Sequence, residues 1–77
     1  MNTNSSIKLA RDPSTPVHVL EELFDLNSNE INRNLAGNPS SPLHLLEVLF
    51  ELEDAIIDRN LAKNPSTPEH MLKVLNE

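Results

Sequence analysis

The sequence predicts an all-α fold, a short α-solenoid of about two and a half units. Three observations carry that expectation. A proline-bounded stretch recurs three times, as Asp12-Pro13-Ser14-Thr15-Pro16, Asn38-Pro39-Ser40-Ser41-Pro42 and Asn64-Pro65-Ser66-Thr67-Pro68. Leu9-Ala10, Leu35-Ala36 and Leu61-Ala62 set a spacing of 26 residues, since 35 − 9 = 26 and 61 − 35 = 26. All six prolines lie in the repeated stretches, so the segments between them contain no helix breaker. Between 9–34 and 35–60 there are 14 identities in 26 positions, and between 35–51 and 61–77 there are 11 in 17, too many for coincidence. A fixed period in this range marks an array in which each unit buries its apolar side against its neighbours. The chain is therefore read as one repeat domain over 1–77, with units 9–34, 35–60 and 61–77.

Each unit opens on the second proline of its turn. Thr15, Ser41 and Thr67 are N-cap residue types, and Pro16, Pro42 and Pro68 fit the first helical position, where a missing N–H costs nothing. At 100° per residue Val17, Val19, Leu20, Leu23, Phe24 and Leu26 share one half of the helix, opposite His18, Glu21, Glu22 and Asp25. The second unit repeats this with Leu43, Leu45, Leu46, Leu49, Phe50 and Leu52, and only Val48 crosses to the polar side. Long helices are expected near 16–26, 42–52 and 68–76.

A polar break follows, and then a shorter segment whose Ile31/Leu35 and Ile57/Leu61 pairs have i,i+4 spacing. Short helices are expected near 29–36 and 54–62. Each ends where a proline disfavours the helical conformation of the residue before it, at Asp12, Asn38 and Asn64. Gly37 aligns with Arg11 and Lys63, so glycine is not demanded there. Ser5 stands in the column of Ile31 and Ile57, which predicts a truncated first short helix and a frayed segment 1–5. Glu69 and Asn76 replace core-column residues in the last unit, as an end cap would. The expected core is Leu20, Leu23, Phe24, Leu46, Leu49, Phe50, Leu72 and Leu75, backed by Ile31, Leu35, Ile57, Leu61 and the alanines.

The strings LAGNPSSPLHLLEVL and LAKNPSTPEHMLKVL resemble the leucine-rich-repeat variant family over roughly residues 7–77. The resemblance implies a right-handed superhelix in which a longer α-helix alternates with a short helix, often 3₁₀, and it implies no enzymatic activity. The Asn-Pro-x-Ser/Thr-Pro turn is its most specific element; Asp12 departs from it in the first copy. The 26-residue period is slightly longer than the family's, and the cysteine-rich segment that holds an iron-sulfur cluster beside the repeats in one family arrangement has no counterpart here.

Composition narrows function further. The 77 residues include no cysteine, which removes thiolate metal sites, disulfides and thiol nucleophiles. A net charge of −6 opposes binding to phosphate backbones and anionic membranes. One glycine cannot build a phosphate-cradling loop, and two Phe with no Tyr or Trp give few stacking platforms. No leader-like segment and no run of about 18 apolar residues occurs, so a cytoplasmic protein is expected.

The candidate chemistry lies in three rows. His18, His44 and His70 recur in register, but helices about 8 to 10 Å apart separate them too far for one zinc ion with bonds of about 2 Å. No metal and no cofactor is assigned. Arg33 and Arg59, with Asn32 and Asp58 beside them, form the candidate partner-binding row, opposite the buried Ile/Leu stripe; guanidinium groups there suit carboxylates. Asp58 and Glu30 are the expected intramolecular partners of the arginines, and Asn34 and Asn60 are expected to satisfy backbone groups. The acidic arc of Glu21, Glu22, Asp25, Glu47, Glu51, Glu53 and Asp54 reads as a solvated face. The functional expectation is a non-enzymatic protein-interaction module. Alternatives are nucleic-acid binding by the arginine row, metal binding at the histidine row, and self-association through apolar ends such as Met71 and Leu75.

Overall fold

The computed structural model describes residues 3–76, which form six helices: α1 Thr3–Arg11, α2 Val17–Phe24, α3 Asn29–Gly37, α4 Leu43–Glu51, α5 Ala55–Lys63 and α6 Glu69–Leu75. The 26-residue register is kept in the bounds, because α1, α3 and α5 begin at 3, 29 and 55. α3 packs between α1 and α5, and each even-numbered helix lies against its odd-numbered chain neighbours. The molecule is elongated, 38 × 20 × 16 Å.

Two expectations about length are corrected. α1 is a full nine-residue helix, equal to α3 and α5, and so is not truncated; residues 4 and 5 are helical, and Met1 and Asn2 lie outside the described residues. Ser5 stands where the other units have isoleucine, but Ile7, in the column of Arg33 and Arg59, packs on the core and adds an apolar contact that those units lack. The even helices, at eight, nine and seven residues, are no longer than the odd ones. The chain leaves α2 at Asp25 and α4 at Leu52, then turns through left-handed backbone at Asn27 (φ 56°) and Glu53 (φ 54°). Leu26 and Leu52, apolar and in phase with the helices, are thereby 58% and 49% exposed.

The corners are built differently from the N-cap expectation. Pro16, Pro42 and Pro68 are themselves the N-caps, in extended conformation, and their carbonyls accept the first helical bonds, as from Leu20 N to Pro16 O at 3.1 Å. The hydroxyls of Thr15, Ser41 and Thr67 turn backwards and donate to the carbonyls of Leu9, Leu35 and Leu61, each at 2.7 Å. The cause is the first proline of each turn. Pro13, Pro39 and Pro65 stand four residues after those leucines, where an N–H would have served the carbonyl, and proline has none. The hydroxyl replaces the missing donor.

α3 and α5 keep side-chain caps: Ser28 Oγ accepts from Ile31 N at 3.3 Å, and Asp54 Oδ1 accepts from Ile56 N at 2.8 Å and Ile57 N at 3.0 Å. They end at Asn38 (φ −83°, ψ 118°) and Asn64 (φ −78°, ψ 120°), extended as a following proline requires.

The core comprises Ala10, Leu20, Leu23, Ile31, Leu35, Ala36, Leu45, Leu46, Leu49, Ile57, Leu61 and Met71. Phe24, Phe50, Leu72 and Leu75, expected inside, are only partly covered, and Ala62 is exposed whereas Ala10 and Ala36 are fully buried. Met71, expected to be uncovered, is 2% exposed. The register accounts for Met71 and Ala62. The Val19/Leu45/Met71 column faces the preceding unit, and the Ala10/Ala36/Ala62 column faces the following one.

Candidate functional site

Three sets of polar side chains join the units. The first lies in the turns. Asn38 is 1% exposed; its Nδ2 donates to Ala10 O at 2.8 Å and Asp12 O at 3.0 Å, while its Oδ1 accepts from Ser40 N at 2.9 Å. Asn64 repeats the set on Ala36 O at 2.8 Å, Asn38 O at 3.0 Å and Ser66 N at 2.9 Å. Ser40 and Ser66 hydroxyls donate to Pro13 O and Pro39 O. An amide is the one small side chain that can donate twice and accept once here. Asp12, in the first copy, is exposed and makes only the local bond, accepting from Ser14 N at 2.9 Å.

The second set lies on the odd helices. Arg33 Nη2 donates to Asp54 Oδ2 at 3.2 Å, so its partner is the cap of the next odd helix, not Asp58 or Glu30. The Ile57 amide and the Arg33 guanidinium hold the Asp54 carboxyl below its ordinary pKa. Asn60 Nδ2 donates to Arg33 O at 2.8 Å, and Asn34 Nδ2 to Glu30 O at 2.8 Å, both backbone contacts as expected. A shallow groove of about 230 Å³ runs along this face, lined by Arg11, Arg33, Asn34, Gly37 and Asn60.

The four residues expected to form one contact row do not converge. Asn32 is 3% exposed and cannot meet a partner, and its Oδ1 is buried without a hydrogen bond. Asp58 is partly buried and lines a groove of about 390 Å³ with Phe50, Glu51, Glu53, Val74 and Leu75. Burial, reinforced by the charges of Asp54 and Glu53, raises its pKa. Arg33 is engaged by Asp54. Arg59 is exposed, and among the described residues it has no ion pair.

The third set is on the even helices, where His44 Nε2 and Glu21 Oε2 lie 2.8 Å apart across α2 and α4. Among the described residues no three His, Asp or Glu side chains converge as metal ligands would. No helix among them is long and apolar enough to cross a membrane.

Sequence reasoning missed the bonds of Asn38 and Asn64 between turns. The signal was present in the columns: asparagine precedes proline in the second and third copies, whose amides reach back to the preceding turn, and aspartate does so in the first. Compared with protein-family models, with curated proteins and with solved structures, the chain matches none.

Proposed function

We propose that the chain is a non-enzymatic, cytoplasmic protein-interaction module, a short right-handed α-solenoid of the kind its turn motif resembles, whose odd-helix face docks an acidic partner segment. The observation that carries this reading is the segregation of charge. Five of the six basic residues, Lys8, Arg11, Arg33, Arg59 and Lys63, lie on α1, α3 and α5, where Glu30 and Asp58 are the acids. The even helices carry Glu21, Glu22, Glu47, Glu51 and Glu69 against Lys73 alone. A chain of net charge −6 thus keeps one face on which carboxylates are attracted. The polar groups of the turns are spent on backbone partners, which leaves the helix faces for recognition.

The test is binding of a polyglutamate peptide, with single-stranded DNA as the competing probe, to wild type and to the Arg11→Glu/Arg59→Glu variant. Arg33 is left intact because it holds Asp54. Two exposed contacts predict a loss of about 10-fold in peptide affinity. Equal peptide binding by both proteins refutes the assignment of this face. DNA binding with a steep salt dependence and no peptide binding favours the nucleic-acid reading instead.

A further inference from the structure

The residues that close α1, α3 and α5 form a column of Arg11, Gly37 and Lys63. Glycine is the poorest helix former of the three, and the backbone does not require it. Gly37 is helical without positive φ, and beyond its own helix a Cβ there would meet only Asn60, at an ordinary 3.8 Å. Long side chains are accommodated at this point of α1 and α5. What the glycine provides in α3 is space.

That space is the groove of about 230 Å³ on the odd-helix face, where Arg11 of α1, Arg33 and Asn34 of α3 and Asn60 of α5 surround Gly37. No acid lines it. Arg11 is exposed and, among the described residues, has no ion pair. Arg33 gives an N–H of Nη2 to Asp54, which holds the guanidinium in place with its side chain 36% exposed. Asn34 and Asn60 are each fixed by one Nδ2 bond to a backbone carbonyl, and an amide nitrogen keeps a second N–H to donate. The C-terminal dipole of α3 opposes an anion here with about half a charge. Its Leu35 and Ala36 carbonyls already accept from Ser41 Oγ at 2.7 Å and Asn64 Nδ2 at 2.8 Å, and two full guanidinium charges outweigh what remains.

We infer that Gly37 makes this groove a seat for one carboxylate side chain of an acidic partner segment, held between the guanidinium groups of Arg11 and Arg33. The inference rests on the reading of the odd-helix face as acid-binding, and it adds where one acid is seated and which residue admits it. The stem of an incoming glutamate lies over Gly37, in the place that an arginine or lysine stem has in the column, and its carboxylate accepts from guanidinium N–H groups. Attraction by charge alone would be served better by a third cation in the column. A third cation would also close the groove, so the two effects have opposite signs and can be told apart.

Titration of the full chain with a polyglutamate peptide tests it. Gly37 is the only glycine, so its amide signal is readily identified in an NMR spectrum of the labelled chain, and it should shift on binding together with the side-chain amides of Asn34 and Asn60. Filling the groove should weaken peptide binding by an amount that grows from Gly37→Ala to Gly37→Gln and reaches about 10-fold, the equivalent of one hydrogen bond to a charged group. Gly37→Lys is the decisive variant: it adds a positive charge, yet it is expected to bind the peptide more weakly than wild type. Alanine, glutamine and lysine are better helix formers than glycine, so the variants are expected to stay folded, which thermal unfolding followed by circular dichroism checks. Tighter binding by Gly37→Lys, or an affinity independent of the residue at 37, overturns the inference and leaves the acid-binding face in place. A wild type that binds no peptide overturns both. Displacement of the peptide by inorganic phosphate but not by acetate, at matched ionic strength, overturns the choice of a carboxylate.

Discussion

Replacing Asn38 by alanine isolates the chemistry of the joint. The side chain is 1% exposed and makes three bonds: two from its amide, to Ala10 O at 2.8 Å and Asp12 O at 3.0 Å, and one accepted from Ser40 N at 2.9 Å. Each buried partner left without its bond costs about 1 to 3 kcal/mol. Asp12 O keeps Thr15 N at 3.1 Å, and Ser40 lies nearer the surface, so Ala10 O bears most of the penalty. The sum is about 2 to 4 kcal/mol, against a total stability of roughly 4 to 12 kcal/mol for a chain of 77 residues. Asp12→Ala, at the equivalent exposed position, removes only the bond from Ser14 N and should cost under about 1 kcal/mol. The assay is urea unfolding followed by helical circular dichroism, since the chain has no Trp or Tyr to report by fluorescence. At a slope of about 1 kcal/mol/M the Asn38→Ala midpoint should fall by roughly 2 M or more, and the Asp12→Ala midpoint by well under half of that. Equal shifts would refute the reasoning, because they would mean that the bonds between turns add nothing to the local turn.

Gly37→Ala should raise stability by about 0.4 to 1 kcal/mol, because Gly37 is helical without positive φ and its added Cβ would meet Asn60 Cβ at an ordinary 3.8 Å; the midpoint of thermal unfolding should rise. Glu53→Gly should likewise gain about 0.5 to 1 kcal/mol by relieving left-handed backbone at φ 54°, with Glu53→Val falling in the opposite direction. Asp58→Asn, which installs the residue of the Asn32 column, should stabilise at neutral pH. Its sign follows from burial: the raised pKa means that the folded chain takes up the Asp58 proton before the unfolded chain does, so the destabilising contribution is present above the folded pKa and is lost as pH falls through it. The gap between variant and wild type should therefore close on acidification, and a gap independent of pH would count against the burial of that carboxyl.

Much of the architecture was legible because it rests on groups the sequence displays directly. A proline tells where a helix cannot continue, and leucines at helical spacing tell which side is covered, so the five helices α2 to α6 fall close to where apolar phase and proline place them. Ser5 misled because a polar residue in an isoleucine column suggested a missing helix, although Ser6 is buried at 2% and Ala10 holds the segment on α3. Leu26 and Leu52 misled for the opposite reason: their phase is correct, but the chain has already turned out of the helix, and phase alone carries no information about φ at Asn27 and Glu53. The site was less legible. Asn32, Arg33, Asp58 and Arg59 are chain neighbours or register mates, yet 100° between successive helical residues sends Asn32 inward and Arg59 outward. Contacts that join one turn to the next require knowing which unit stands on which side, and a column of residue types gives that only once the stacking direction is seen.

The bonds described between units connect residues 21 to 28 apart, never farther. Among the described residues none of these bonds ties the first unit to the third. Loss of order can then begin at either end and stop at the next joint, like a zip with two sliders, and the middle unit, clasped on both sides, is the last to let go. Amide hydrogens of α3 and α4 would outlast those of α1 and α6 in deuterated solvent, so that stability is graded along the long axis and set by how many neighbours a unit has, more than by its own sequence.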